Sequence, residues 1–522
     1  MSGDPSLIRL ADAVLIPPFP GTTAPRWVLA ALEHGLGGVT VYGLNVAGPE
    51  QLAALTAQLR SACDEPVIAI DEEGGDVTRI AHSTGSPYPG NAALGVVDDT
   101  ALTAEIYHAL GSDLAALGLN VNLAPSVDVN SASDNPVIGT RSFGADTALV
   151  ARHGAAAVTG LQSAGIAACT KHFPGHGSTR QDSHHEIAIV EGDLDTVRRR
   201  DLPPFVAAIA AGVRAMMPGH LRVPGLTGAL PATWSAAALT GLLRGELGFT
   251  GAIISDGLEM EAVSEPHGLP EAAVRTIAAG GDLLCLGRDQ DQERYLAVRA
   301  AIADAVVSGR IPAGRLEEAG ARVADLRAWL RQAGRTTVVG GALTGPDGRG
   351  AASGGRDFSR TVHGGTNGSA GVHAGLSAAR RAVRVSGLDR PLVDPVVVEF
   401  DALQNIAVGA VPWGLEPWLG EQSVRRIDTG LPEAERASAV REVLAAADGR
   451  PLVVVVRDAH RHPAAQAVTR ALLAAHPDTV VVEMGLPVWR PQAGGYVATY
   501  GAARTNGQAA AEALGLTAAS CH

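Results

Sequence analysis

Through residues 1–330 the chain repeats one pattern. A short apolar run ends in polar or glycine residues, and an Ala/Leu-rich segment with helical spacing follows. Eight runs read as strands: Val14–Pro17, Gly38–Tyr42, Val67–Asp71, Asn120–Ala124, Ala167–His172, Ala215–His220, Ala252–Asp256 and Asp282–Leu286. Eight such runs alternating with helices predict a (β/α)8 TIM-like barrel over residues 1–335. In that fold the chemistry gathers at the C-terminal strand ends, which here carry Asp71, Lys171-His172, His220 and Asp256.

The pattern breaks over residues 336–380, which are dense in Gly, Ser and Thr and poor in apolar periodicity. This stretch is expected to be a linker or irregular connection. Over 381–522 a second α/β unit is expected, a smaller open α/β sandwich with a mostly parallel sheet. Its predicted strands are Pro395–Phe400, Leu452–Val456, Thr479–Glu483 and Tyr496–Thr499, with helices near Ala434–Ala446, Ala464–Ala475 and Gly507–Leu514. It holds no GxGxxG or phosphate loop, and its expected role is packing or assembly.

Composition narrows the function. Hydrophobic residues make up 46% and charged residues 18%, as in a globular protein. The formal net charge of −13 argues against nucleic acid or an anionic membrane as the main partner. The four cysteines are scattered without a CxxC pair, and no apolar run reaches about 18 residues. The N-terminus has an early Asp and no cationic stretch, so a cytoplasmic protein is expected.

The chemistry is concentrated in Lys171 to Glu186, KHFPGHGSTRQDSHHE, which holds four His and two acidic residues. Asp182 stands two residues before His184, so it can accept the Nδ1 proton, fix the tautomer and raise the basicity of the ring. Gly175, Gly177 and Ser178 suggest that this loop moves. A surface loop with incidental His is the alternative. His172, His176, His184, His185 and Asp182 are also conceivable metal ligands, but no zinc spacing appears and no metal or organic cofactor is expected. Asp256 follows Ile253-Ile254-Ser255. It suits a fixed, desolvated nucleophile, and it equally suits the cap of a helix begun by Gly257-Leu258-Glu259. Glu259 is expected one turn into that helix and solvated. Arg79 closes the third strand with Asp71, and Asp71, Arg141, and Lys171 with His172 are candidate ligands for the hydroxyls of a polyol.

These motifs resemble glycoside hydrolase family 3, within it the β-N-acetylglucosaminidase (NagZ-type) branch in its two-domain form. The blocks are DEEGGDVTR (71–79), NLAPSVDVN (122–130), IGTRSFG (138–144), KHFPGHGSTRQDSH (171–184), MMPGH (216–220), PATWS (231–235), LGFTGAIISDGLEM (247–260) and AGGDLLCLG (279–287), in family order. The resemblance implies Asp256 as nucleophile, His184 as general acid/base supported by Asp182, and Asp71, Arg79, Arg141, Lys171 and His172 as ligands of an N-acetylglucosamine unit. It implies a small carbohydrate substrate, a muropeptide or chitin oligosaccharide, cleaved with retention through a glycosyl-aspartate. Inorganic phosphate is a possible second acceptor, because a neutral His does not repel an anion as a Glu would. A β-glucosidase and a non-catalytic sugar-binding protein are the competing readings. Many members read Ser-Asp-Asp-Leu at the nucleophile, where this chain has Ser255-Asp256-Gly257-Leu258; a more flexible loop is expected there.

Overall fold

The computed structural model describes residues 4–265, 267–288, 291–340, 366–401, 407–419 and 424–516. Each of the eight apolar runs in the first part forms a strand: β1 (Leu15–Ile16), β2 (Gly38–Val41), β3 (Val67–Ile70), β4 (Val121–Asn122), β5 (Ala167–Phe173), β6 (Ala215–Pro218), β7 (Ala252–Ile253) and β8 (Leu284–Cys285). Strands β2 to β7 make a curled, six-stranded parallel sheet in chain order, and β1 pairs with β8. Main-chain bonding of Thr40 to Pro17, and a bridge between Ile254 and Leu283, join that pair to the two edges of the sheet.

Alternation along the strands sorts the side chains into two layers. Ile16, Val67, Ala69, Val121, Ala167, Cys169, Ala215 and Ala252 form one cluster, which Val323, Leu326 and Leu330 of helix α1 (Ala313–Gly340) complete. Their neighbours Ile68, Ile70, Ala168, Met216 and Ile253 pack outward against the surrounding helices. The small residues of the inner layer let the sheet curl tightly around its own side chains.

The expected irregular connection is corrected at both ends. Helix α1 continues to Gly340, and Thr366–Ala382 forms a second helix, α2. Residues 341–365 of that expectation lie outside the described residues. The glycines that spoil the apolar rhythm of α2 serve close packing: a Cβ on Gly375 would fall 2.3 Å from the Pro87 carbonyl, and one on Gly371 2.9 Å from Ala109 Cβ. Tertiary contact here overrides a weak helix propensity.

Beyond α2 lies a second six-stranded sheet. Its strands are β9 (Arg384–Ser386), β10 (Val396–Phe400), β11 (Val424–Ile427), β12 (Leu452–Val456), β13 (Val480–Glu483) and β14 (Gly495–Ala498), ordered β9-β14-β13-β12-β10-β11. All neighbours are parallel except β9 against β14. Val396, Val398 and Val454 face one core, and Val397, Val453 and Val455 face the other, so both sheet faces are covered. The two strands that sequence patterning missed are the edges: β9 is exposed throughout, and β11 carries two exposed arginines, Arg425 and Arg426, at its centre. Neither has the apolar run that marks a buried strand.

The two sheets meet through buried polar contacts. Asp76 accepts the Ala502 N–H at 2.8 Å and the Thr140 hydroxyl at 2.7 Å, and pairs with Arg457 at 3.1 Å. The Arg504 N–H donates to the Ser86 carbonyl at 3.1 Å.

Candidate active site

A cleft of about 300 Å³ opens at the C-terminal ends of the curled sheet. Asp71, Arg79, Arg141, Lys171, His172, His184 and Asp256 all line it. Asp182 stands behind His184. Every residue singled out for catalysis or sugar binding is therefore at this one place.

The floor is a network of opposite charges. The Lys171 ammonium lies 2.5 Å from Asp71 and 2.8 Å from Glu73. Arg141 holds Glu73 through two bonds, Nη2 to Oε1 at 2.7 Å and Nε to Oε2 at 2.9 Å. Burial disfavours the Glu73 anion, yet Arg141 and Lys171 together hold its carboxyl well below the usual range. Burial likewise works against the Lys171 charge, and the Asp71 and Glu73 carboxylates outweigh it and push the ammonium up. Glu73, Lys171 and Arg141 are thus each held in the charged form, so the network presents fixed donors and acceptors to a polyol.

Asp128 organises the next layer. Its Oδ2 lies 2.7 Å from His172 Nδ1 and takes the Ser126 hydroxyl at 2.9 Å, while its Oδ1 accepts the N–H groups of His172 and His176. Although the group is fully enclosed, His172 and His176 hold its carboxyl at about 2.

Asp256 follows the end of β7. The chain is pinned there by the Ser255 N–H on the Leu283 carbonyl, by the Cys285 N–H on the Ser255 hydroxyl and by the Leu258 N–H on the Cys285 carbonyl. The next helix is Glu261–Ser264 with Met260 at its N-cap, so the capping alternative for Asp256 falls away. Its Oδ1 accepts the Gly257 N–H at 2.8 Å. Burial raises the carboxyl, but His220, His172, His184 and that amide outweigh it, and the group stays below the ordinary carboxylate range.

Gly257 is bonded from two sides. Its carbonyl lies 3.0 Å from His220 Nε2 and also accepts the Met260 N–H. The expectation for Glu259 is corrected. It precedes the helix, lines the cleft, and burial raises its carboxyl to about 7.

His184 is held by Asp182 at two points, the ring Nδ1 at 2.7 Å and the backbone N–H at 2.9 Å, both on Oδ1. The loop that carries the pair is tied down. Arg180 bridges Asp134 and Glu191, Ser183 meets His176 Nε2 at 2.9 Å, and His185 meets Glu261 at 3.2 Å. Two of its glycines sit in crowded places: a Cβ on Gly177 would lie 2.0 Å from the Val129 carbonyl, and one on Gly175 2.6 Å from Asp201 Cβ. At least one ring nitrogen of each histidine weighed as a metal ligand already contacts Asp128, Thr179, Ser183, Asp182 or Glu261. Among the described residues no group of three His, Cys, Asp or Glu has metal-holding geometry.

Arg79 lines the cleft, but its guanidinium is engaged by the second sheet's unit: it donates to the carbonyls of Ala407 at 2.7 Å and Val408 at 3.4 Å. Residues 407–411 form a wall of the cleft. The packing role expected for the C-terminal part therefore understates it. Sequence reasoning also left Glu73, Asp128 and Glu259 out of the site. Glu73 and Asp128 stand inside the motif blocks, but only the fold shows them pairing with residues some 70 and 45 positions away.

A carboxylate kept anionic beside a His–Asp pair, over a floor of charged donors and acceptors, is equipment for covalent chemistry on a sugar. Comparisons with known proteins show similarity to glycoside hydrolases. The Glycosyl hydrolase family 3 N terminal domain profile matches residues 24–326. A β-hexosaminidase A of Pseudoalteromonas piscicida is 33% identical over 338 residues; the match covers 60% of this chain and 56% of that protein, so the chain spans only about half of that relative's length. A β-hexosaminidase of Stenotrophomonas maltophilia is 36% identical over 55% of this chain and 87% of its own. Among solved structures, a glycoside hydrolase family 3 β-N-acetylglucosaminidase from Paenibacillus superposes with a TM-score of 0.82 at 32% identity, covering 98% of this chain and 97% of that one. A β-glucoside phosphorylase at 17% identity shares the fold, with a TM-score of 0.75. By its matched domain, its strand-end motifs and a full-length structural likeness, the chain belongs to glycoside hydrolase family 3.

Proposed function

We propose that this chain is a retaining β-N-acetylglucosaminidase acting on non-reducing terminal, β-linked N-acetylglucosamine, with residues 1–335 as the catalytic unit and 381–522 completing the cleft wall. The observation that carries this reading is the pairing of anionic Asp256 with the Asp182-held His184 at one cleft. Asp256 attacks the anomeric carbon and the bond to the leaving oxygen breaks, while His184 gives that oxygen its Nε2 proton. Water then attacks the same carbon, the glycosyl-aspartate ester breaks, and the water proton passes to His184. Asp71, Lys171, Arg141 and His172 hold the sugar hydroxyls and amide. Arg79 acts there as a brace for the wall.

Phosphate is the alternative acceptor in the second step and would yield N-acetylglucosamine 1-phosphate. A His in place of a carboxylate at the base position supports it, since no anionic base repels the phosphate. Muropeptides and chitin oligosaccharides fit as natural substrates, and a cytoplasmic location would keep a phosphorylated product in the cell.

Turnover of 4-nitrophenyl N-acetyl-β-glucosaminide, with and without phosphate and with the sugar product identified by NMR, tests the reading. Free N-acetylglucosamine in both buffers makes the chain a hydrolase; sugar 1-phosphate with faster turnover makes it a phosphorylase. Faster turnover of the β-glucoside would favour a β-glucosidase, and no turnover at all a sugar-binding protein.

A further inference from the structure

Glu259 is the acidic group of the cleft that the proposed chemistry leaves unused. It stands three residues beyond Asp256 and lines the same cleft. Its Oε1 accepts the Arg288 N–H at 2.7 Å. Its Oε2 is buried and has no hydrogen-bond partner among the described residues.

The carboxyl sits in a niche made by two glycines. A Cβ on Gly287, whose φ is +83°, would lie 1.4 Å from Oε2, and one on Gly257 would lie 2.5 Å from the same atom. A side chain at either position would collide with the Glu259 carboxylate where it now lies. Gly257 is also where this chain departs from the Ser-Asp-Asp-Leu pattern. An aspartate there would claim the space that the Glu259 carboxyl fills, so the glycine and the glutamate belong together.

A buried oxygen with no donor is costly, of order 1–3 kcal/mol for an ordinary polar group. Arg288 favours the anion by its charge and holds Oε1 through its N–H, but no hydrogen bond reaches Oε2 among the described residues. Asp256 is an acceptor, and the Tyr42 hydroxyl lies 3.4 Å from the Cys285 thiol. Asp256, Tyr42 and Cys285 all feel the charge of Glu259. What enters the cleft over Asp256 is a sugar, whose hydroxyls and amide are donors. Because burial holds the carboxyl at about 7, Glu259 can either accept from a hydroxyl or donate to one at neutral pH.

Resting on the glycosidase reading above, we infer that Glu259 is a specificity-determining residue whose Oε2 bonds a hydroxyl or the amide N–H of the sugar seated over Asp256. The test compares wild type, Glu259→Ala and Glu259→Gln. The substrates are 4-nitrophenyl N-acetyl-β-glucosaminide, its 3-, 4- and 6-deoxy forms, and the β-glucoside. Glu259→Ala is expected to lower kcat/KM on the parent sugar by about 10- to 100-fold. One modified sugar, a deoxy form if a hydroxyl is the partner or the glucoside if the amide is, should already lose as much with wild type and lose little more with the variant. Equal proportional losses on all five sugars, or no loss beyond about twofold, overturn the inference. If Glu259→Ala does not fold, Glu259→Gln, which matches the carboxyl in shape, carries the same comparison. An active wild type with indifferent variants sinks this inference alone. A wild type that turns over none of the sugars sinks the glycosidase reading and this inference with it.

Discussion

Asp128 and His172 are joined by a 2.7 Å bond between a fully buried carboxylate and the ring Nδ1. The same carboxylate also receives two backbone N–H groups from the His172–His176 loop. Asp128→Asn keeps the shape but turns one oxygen into a donor. It should leave near-UV circular dichroism intact while kcat/KM falls about 10- to 100-fold, carried mainly by KM, because His172 is a proposed sugar ligand. Asp128→Ala, which strands buried N–H groups, should instead lower Tm as well.

Asp256→Ala should cut turnover on the order of 10⁴-fold or more, with Tm near wild type. Azide should restore reaction in that variant, and the product should be the glycosyl azide of inverted configuration. A rescued reaction giving only free sugar would argue against Asp256 as the nucleophile.

His184→Ala should cost about 10²- to 10⁴-fold on substrates with sugar leaving groups. It should cost far less with nitrophenol, which departs without a proton. Asp182→Ala should follow the same trend more mildly, because it removes the partner that fixes the His184 tautomer. Equal losses on both leaving groups would make His184 a binding residue.

Arg79→Met keeps the apolar stem and removes the bonds to the Ala407 and Val408 carbonyls. With the wall loosened, kcat/KM should fall by about 10-fold for disaccharides, which extend past the cleavage point, and less for the nitrophenyl glycoside. Initial rates on the two substrates decide it.

The Glu259 carboxyl is held at about 7 against an ordinary value of 4.5. The folded chain therefore keeps this proton to higher pH than the unfolded chain does. The stability it confers is complete below about 4.5 and is lost as pH rises through 7. The groups facing it are Asp256, Arg288, Tyr42 and Cys285. Glu72 shifts in the same direction but is common to both proteins. The Tm difference between Glu259→Gln and wild type should thus move in the variant's favour by a few degrees between pH 5 and pH 8. Calorimetry showing a constant difference would contradict the shift.

Much of the layout was legible because buried parallel strands announce themselves. Runs such as Val67–Ile70 and Leu452–Val456 are apolar at every position, being covered on both faces. The strand-end residues Asp71, Lys171 and Asp256 followed from that layout. What stayed hidden depends on contacts between distant segments. Nothing near Arg79 signals that Ala407, 328 residues on, will meet it. Nothing near Gly371 and Gly375 signals that Pro87 and Ala109 will press against a helix there. The edge strands β9 and β11 lacked a signal because water covers all of β9 and the centre of β11. Glu259 was read from helical spacing, and the turn between Asp256 and Met260 displaced it from the helix.

The niche formed by Gly257, Glu259 and Gly287 also gives substitutions an order. Replacing Gly257 by Asp in this background drives a second carboxylate into an occupied space and should be far more harmful than the same change made after Glu259 has been shortened to Ser. A path between the two loop sequences is therefore smoother in one order: position 259 shortens, or its carboxylate swings away, before position 257 fills. Gly287 meets the same carboxylate, and its φ of +83° adds a demand for glycine of its own. Engineering of this loop has three positions to vary but, in effect, a single choice to make.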